Sequence, residues 1–233
     1  MNDPIVSICI PTYEMAGQGV AYLEHSFSIL TRQTFKSFEV IVSDQSIDDG
    51  INRLCERWND RLLIRYVKAM NRGNSSHNTN NAIHHACGKV IKPLFQDDFL
   101  TSDRSLEAMM FYFAGSQNYW LATASCQSPD GVRLERPNFP FYHDEIQYGT
   151  NTISSPSVIM FKNENVLRFD ENLIWLMDVD YYKQLYDKHG LPAICNQITV
   201  ANREHSNQIS SSLVSDAKKQ SELEYVRRKY VRT

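Results

Sequence analysis

The sequence contains no apolar run approaching the roughly 20 residues needed to cross a bilayer, so no transmembrane segment is expected. It lacks a basic N-terminal stretch followed by an apolar one. Asp3 and Pro4 stand there instead, and a secretory leader is not expected. No Cys-x-x-Cys pair occurs. Cys9, Cys55, Cys87, Cys126 and Cys195 are scattered and odd in number, which fits reduced, mostly packed thiols in a cytoplasmic protein. Charge of one sign is not in excess. A net charge of −3 gives no pull toward nucleic acid, and no nucleic-acid partner is expected. Internal repeats, low-complexity segments and linker-like stretches are missing too.

What remains is an ordinary globular composition, 42% hydrophobic and 22% charged. The 233 residues suffice for one sizeable domain. Residues 5–10, 38–42, 62–67 and 90–95 are short apolar runs read as buried strands. Between them, Leu23, Phe27 and Leu30, then Ile51, Leu54, Cys55 and Trp58, then Ala82, Ile83, Ala86 and Cys87 recur at helical spacing. Gly88 suits a helix C-cap. This strand–helix alternation predicts an α/β fold with a mostly parallel sheet flanked by helices. Beyond residue 100 the pattern loosens. A helix carrying Leu106, Met109, Met110 and Phe113 precedes strands near 120–124 and 158–161, a loop-rich stretch over 127–156 and a helix over 179–186. The reading is a single domain, 1–233. Residues 1–100 form a nucleotide-binding half, 101–210 an acceptor and catalytic half, and 211–233 a C-terminal helix, charged and solvated.

Ligands of open α/β sheets bind beyond the carboxyl ends of the strands. Three strand ends carry polar groups: Thr12-Tyr13-Glu14, Ser43-Asp44 and Gln96-Asp97-Asp98. Their convergence on one edge is the main physical pointer to a site. Each alone has a plain structural alternative: Asp44 as a turn former, Asp97-Asp98 as a helix N-cap.

Taken in order, VSICIPTYE, SFSILTRQTFKSFEVIVSDQSIDDG, NRGNSSHNTNNAIHHACGKVIKPLFQDDFL, FDENLIWLMDVDYYKQL and REHSNQIS resemble the inverting family 2 glycosyltransferases over residues 4–210. The resemblance implies a GT-A fold, Rossmann-like in its first half. It implies a nucleotide-sugar donor, UDP-linked, and a divalent metal, Mn2+ or Mg2+. By the same resemblance Asp97 and Asp98 hold the metal and the diphosphate, although Phe95 stands where some members carry a first Asp. Asp44 reads the uracil ring. Pro11, Thr12, Tyr13 and Glu14 wrap the nucleoside, while Asn71 and Asn80 close its ribose side. His205 is a further metal or diphosphate contact.

Asp178, after Phe169-Asp170-Glu171, matches the position of the general base. Met177 replaces the Glu that usually precedes it. Asp180 competes for that role, but side chains two apart on a helix point away from each other. The 149–156 segment resembles the donor-sugar and acceptor wall, so Asn151 and Ser155 are expected there. Trp175, with Tyr142, Tyr148, Tyr181 and Tyr182, suits either a stacking surface for a sugar or the core. Asp180 and Arg203 are also expected at the donor-sugar and acceptor site, and Arg203 is the first candidate cation for the diphosphate if no metal is used. His84-His85 is read as surface or packing. Two other classes stay open: a nucleotidyltransferase, disfavoured because Pro11-Thr12-Tyr13-Glu14 is not a Gly-rich phosphate loop, and a non-catalytic nucleotide-sugar binder.

Overall fold

A computed structural model describes residues 3–205 and 214–230. The first half alternates as expected: β1 (Val6–Thr12), α1 (Gly19–Arg32), β2 (Phe38–Asp44), α2 (Gly50–Trp58), β3 (Ile64–Lys68), α3 (Ser75–His84) and β4 (Val90–Pro93). The apolar runs of β1 and β2 are buried on both faces because helices cover each side. Leu23, Phe27 and Leu30 of α1 all reach the core. α3 is a polar helix started by Asn74, whose side chain accepts the His77 N–H at 2.8 Å.

The second half adds β5 (Phe99–Leu100), α4 (Ser105–Ala114), β6 (Trp120–Ser128), β7 (Glu135–Asn138), β8 (Ile159–Lys162), α5 (Met177–His189), β9 (Ala193–Arg203) and α6 (Asp216–Tyr230). The described strands form one sheet in the order β3-β2-β1-β4-β8-β6-β9-β5, with β7 beside β6. β3, β2, β1 and β4 are parallel, as the alternation predicts. The remainder is mixed: β8 runs antiparallel to both β4 and β6, while β9 is parallel to β6. The sequence pattern gave no sign of β9, because the exposed Asn196, Gln197 and Ile198 interrupt its buried positions.

Gly88 is not a helix cap. α3 ends at His84, and Gly88 instead lies against β1, its N–H donating to Ser7 Oγ at 2.8 Å. A Cβ at Gly88 would stand 2.8 Å from the Ser7 backbone nitrogen, so the close approach needs glycine. Among the described residues no helix is long and apolar enough to cross a membrane. Tyr181 and Tyr182 are fully buried, which assigns them to the core rather than to a sugar platform.

The order β2-β1-β4 has a direct consequence. The carboxyl ends of these neighbouring parallel strands open onto one edge, and Thr12, Asp44 and the 96–98 turn meet there.

Candidate active site

A cleft of about 670 Å³ lies over that edge and is closed on the far side by the 151–156 segment and the start of α5. Pro11, Tyr13, Glu14, Asp97, Asp98, Asn151, Ser155, Trp175 and Asp178 all line it. Both halves of the chain therefore contribute to one cavity.

The β1–β2 side of the cleft is built by side chains that tie strand ends together. Thr12 is buried, and its hydroxyl donates to the Ser43 carbonyl at 3.2 Å and Asp44 Oδ1 at 3.3 Å. Asp44 is fully buried beneath the cleft, not on its lining. Its carboxylate accepts from the Ser46 N–H at 2.9 Å, the Tyr66 hydroxyl at 2.8 Å and the Lys68 ammonium at 3.1 Å. This network pushes the Tyr66 phenol pKa up, through burial first and the Asp44 bond second. Gln45, the next residue, faces the cleft. Its amide donates to the carbonyls of Asn71 and Asn74, which fixes the loop ahead of α3. Asn71 thus takes part through its backbone.

Asn80 does not reach the cleft. Its amide exchanges hydrogen bonds with the Phe169 backbone at 2.9 and 2.8 Å and donates to Glu171 at 3.0 Å. Asn78, two residues earlier on α3, faces the cleft instead and holds the Thr12 carbonyl and the Ser43 hydroxyl. Residues two apart on a helix diverge, and that separates the two asparagines.

The acidic turn sits at the cleft floor. Asp97 Oδ2 and His205 Nε2 are 2.9 Å apart. Asp98 is buried, and its Oδ2 accepts from the Ser155 hydroxyl at 2.8 Å. Burial, then the neighbouring Asp97 charge, raise its carboxyl to about 7. Among the described residues no three His, Cys, Asp or Glu side chains enclose a metal ion by themselves. Asp97 and Asp98 are carboxylates on the cleft lining, and carboxylate oxygens are the ligand type that Mn2+ and Mg2+ accept. Their open side faces the cavity, where ligand oxygens can complete the coordination. Gln96 is the pin of this turn: its side chain accepts from the Tyr13 N–H at 3.0 Å and donates to the Gly19 carbonyl at 2.8 Å.

Arg203 lies behind the site. Its Nε donates to the Asp97 carbonyl at 3.3 Å, its Nη2 donates to His25 Nδ1 at 2.7 Å, and its guanidinium covers Tyr22 and Phe99. Burial and this cation keep His25 below its usual pKa. Successive residues on a strand face opposite ways. Asn202 and Glu204 therefore line the cleft while Arg203 does not, and Arg72 is the arginine on the lining. The remainder of the 203–210 stretch, Ser206 to Ser210, lies outside the described residues.

Asp178 stands in the first turn of α5 on the cleft wall. Its Oδ1 accepts the Val179 N–H at 2.8 Å, and its Oδ2 accepts the Asn151 amide at 2.7 Å. Burial raises its carboxyl to about 7, and the Glu222 charge adds to the rise. Asp180 turns the other way. It is fully buried against α6, bonded to Lys229 at 2.9 Å and Tyr230 at 2.8 Å, so it is not a donor-sugar or acceptor contact. Met177, in place of the usual Glu, lines the cleft and takes the Ser75 hydroxyl on its sulfur at 3.0 Å.

Residues 7–204 match the family described as Glycosyl transferase family 2. Validoxylamine A glucosyltransferase of Streptomyces hygroscopicus subsp. jinggangensis is 39% identical over 66 residues, 28% of this chain and 15% of that protein. Chondroitin synthase of Escherichia coli is 33% identical over 101 residues, 43% of this chain and 14% of that protein. The chain thus spans about a sixth of the length of the curated relatives it matches. Staphylococcus aureus TarS 1-349, solved in complex with UDP-GlcNAc, superposes with TM-score 0.77 at 18% identity, covering 96% of this chain and 66% of that one. Mannosyltransferase PcManGT of Pyrobaculum calidifontis, solved with GDP-Man and Mn2+, gives TM-score 0.65 at 17% identity, covering 100% and 66%. These likenesses establish the GT-A fold.

Proposed function

The chain belongs to glycosyl transferase family 2, and on that premise we propose that it transfers a sugar from a UDP-sugar to an acceptor hydroxyl with inversion. One observation carries the reading. Asp178, with its carboxyl raised to about 7, lines the same cleft as Asp97, so a base and a diphosphate site share one cavity. The UDP-GlcNAc and UDP complexes of TarS support the choice of uridine, and the PcManGT complex supports a metal.

In this reading the donor diphosphate lies over Asp97 and Asp98, with His205 beside them. A divalent cation held there would neutralise charge on the leaving diphosphate. Pro11, Tyr13, Glu14, Gln45 and Asn78 shape the nucleoside end. Asp44 acts from below, by fixing the β2 end; its two oxygens are already taken by Thr12, Ser46, Tyr66 and Lys68, so the expected reading of the base by this carboxylate is replaced. Asn151, Ser155 and Trp175 border the sugar and the acceptor.

The acceptor hydroxyl oxygen attacks the anomeric carbon from the face opposite the diphosphate. A new C–O bond forms while the bond to the β-phosphate oxygen breaks, and that oxygen leaves with the electron pair. Asp178 Oδ2 takes the hydroxyl proton. Asn151 holds that oxygen in place, and a carboxyl titrating near neutrality is both ionised and basic enough to serve. One direct displacement inverts the centre.

The test is a panel of UDP- and GDP-sugars incubated with and without Mn2+, with NMR of the anomeric proton of the product. Turnover of a UDP-sugar to the opposite anomer is expected. A product retaining the donor configuration sinks the mechanism, and preference for GDP-sugars sinks the uridine assignment.

A further inference from the structure

The N-terminal end of α5 carries the proposed base, and Asp178 itself accepts the Val179 N–H of that first turn. Leu176 occupies the N-cap position, and an aliphatic side chain cannot accept the free N–H groups of a first turn. The turn just ahead of the helix, residues 174–176, finds its acceptor 46–48 residues away. Glu222 of α6 is buried, and its carboxylate takes the Ile174 N–H at 3.0 Å, the Trp175 N–H at 2.9 Å and the Leu176 N–H at 3.0 Å. A negative group there also complements the α5 dipole.

The rest of α6 grips the same segment. Lys229 reaches Asp170 at 2.8 Å and Asp180 at 2.9 Å, and Tyr225 donates to Asp170 at 2.9 Å. Lys219 stands 5.7 Å from the Trp175 ring. Within α6, Val226 is buried in the core and Leu223, Tyr225 and Tyr230 pack against it, so this helix docks by an apolar stripe as well as by polar contacts to the 170–180 segment. The expectation of a merely solvated tail helix is thereby replaced.

We propose that Glu222 is a positioning residue for sugar transfer: it caps the 174–176 turn from α6 and so sets Trp175 and Asp178 in the cleft. The proposal rests on the reading of Asp178 as general base. Glu222 touches neither donor nor acceptor, since it does not line the cleft. Its loss therefore acts on the reacting geometry and leaves the nucleotide contacts of β1, β2 and α3 in place.

Glu222→Gln keeps the size and one acceptor oxygen but turns an amide NH2 toward either the Ile174 N–H or the Trp175 and Leu176 N–H pair. Displacing a reacting group by about 1 Å costs on the order of 100-fold. Transfer kinetics on the full chain should show kcat lowered about 10- to 100-fold, with the KM for the donor within about twofold. Active sites are counted by UDP binding, and kcat is expressed per bound site. Should Glu222→Gln fail to fold, Lys218→Glu gives the same readout. Lys218 is half-exposed 3.4 Å from Glu222, and an acid there repels the capping carboxylate, so a smaller fall in kcat at constant KM is expected.

Unchanged kcat per bound site in either folded variant overturns the proposal, as does a parallel loss of UDP binding and turnover. An inactive Asp178→Asn beside a fully active Glu222→Gln sinks the Glu222 assignment alone. Wild-type turnover by Asp178→Asn sinks the base assignment and takes this one with it.

Discussion

Replacing Asp178 by Asn should change how stability depends on pH. In an unfolded chain an aspartate ionises near 3.9, whereas burial holds the folded carboxyl at about 7. Between those values the folded state binds the extra proton, so Asp178 lowers stability as pH rises from about 4 to 7. A shift of about three units at 1.36 kcal/mol each sets a ceiling of roughly 4 kcal/mol. Asp178 faces a water-accessible cleft, and screening cuts that to about 2 kcal/mol.

Asn at this position keeps the Val179 N–H bond but loses the Asn151 one. The Asn151 oxygen already accepts the Ile153 and Ser154 N–H groups, so its amide cannot flip to compensate. That loss offsets about 1 kcal/mol at every pH. Asp178→Asn should therefore be slightly less stable than wild type near pH 4.5 and more stable at pH 8, by about 1 kcal/mol. Urea unfolding at half-unit pH steps reads this directly. A stability difference between the two proteins that stays flat from pH 4.5 to 8 would refute the raised carboxyl and the reasoning built on it.

Asp44→Ala should weaken UDP binding by about 1–3 kcal/mol in calorimetry. It should also cost stability by about 1–3 kcal/mol in urea unfolding, because the buried Ser46 N–H and Thr12 hydroxyl lose their acceptor while the exposed Lys68 returns to water. An affinity change without a stability change would mean the network beneath the cleft is incidental. UDP binding should tighten when Mn2+ is added, and the double variant Asp97→Ala with Asp98→Ala should lose that gain. Equal UDP affinity with and without Mn2+ in the wild type counts against the metal.

The nucleotide half was legible because its evidence is periodic. Buried β-branched runs alternate with helices, each strand ends in a polar turn, and parallel order follows from the crossovers. Asp97, Asp98 and Asp178 were singled out because their neighbours in sequence resemble a known pattern, and all three line the cleft. Side chains whose direction decides their role were harder. Arg203 was expected at the diphosphate, but alternation along β9 turns it to the far side and brings Asn202 and Glu204 to the cleft. Asn80 and Asp180 lost their places to Asn78 and Asp178 through helical divergence over two residues. Gln45 and Gln96 adjoin residues that were singled out, and adjacency to a strand end was the available signal. Glu222 had none, since its partners are backbone N–H groups more than 40 residues distant.

The most direct test is kcat for Asp178→Asn at saturating UDP-sugar and Mn2+. The side chain keeps its shape and loses its proton acceptor. A general base contributes about 10²–10⁴-fold to rate, so kcat should fall by that factor while UDP affinity stays within about twofold of wild type. Turnover at the wild-type rate would contradict the assignment of Asp178 as the base.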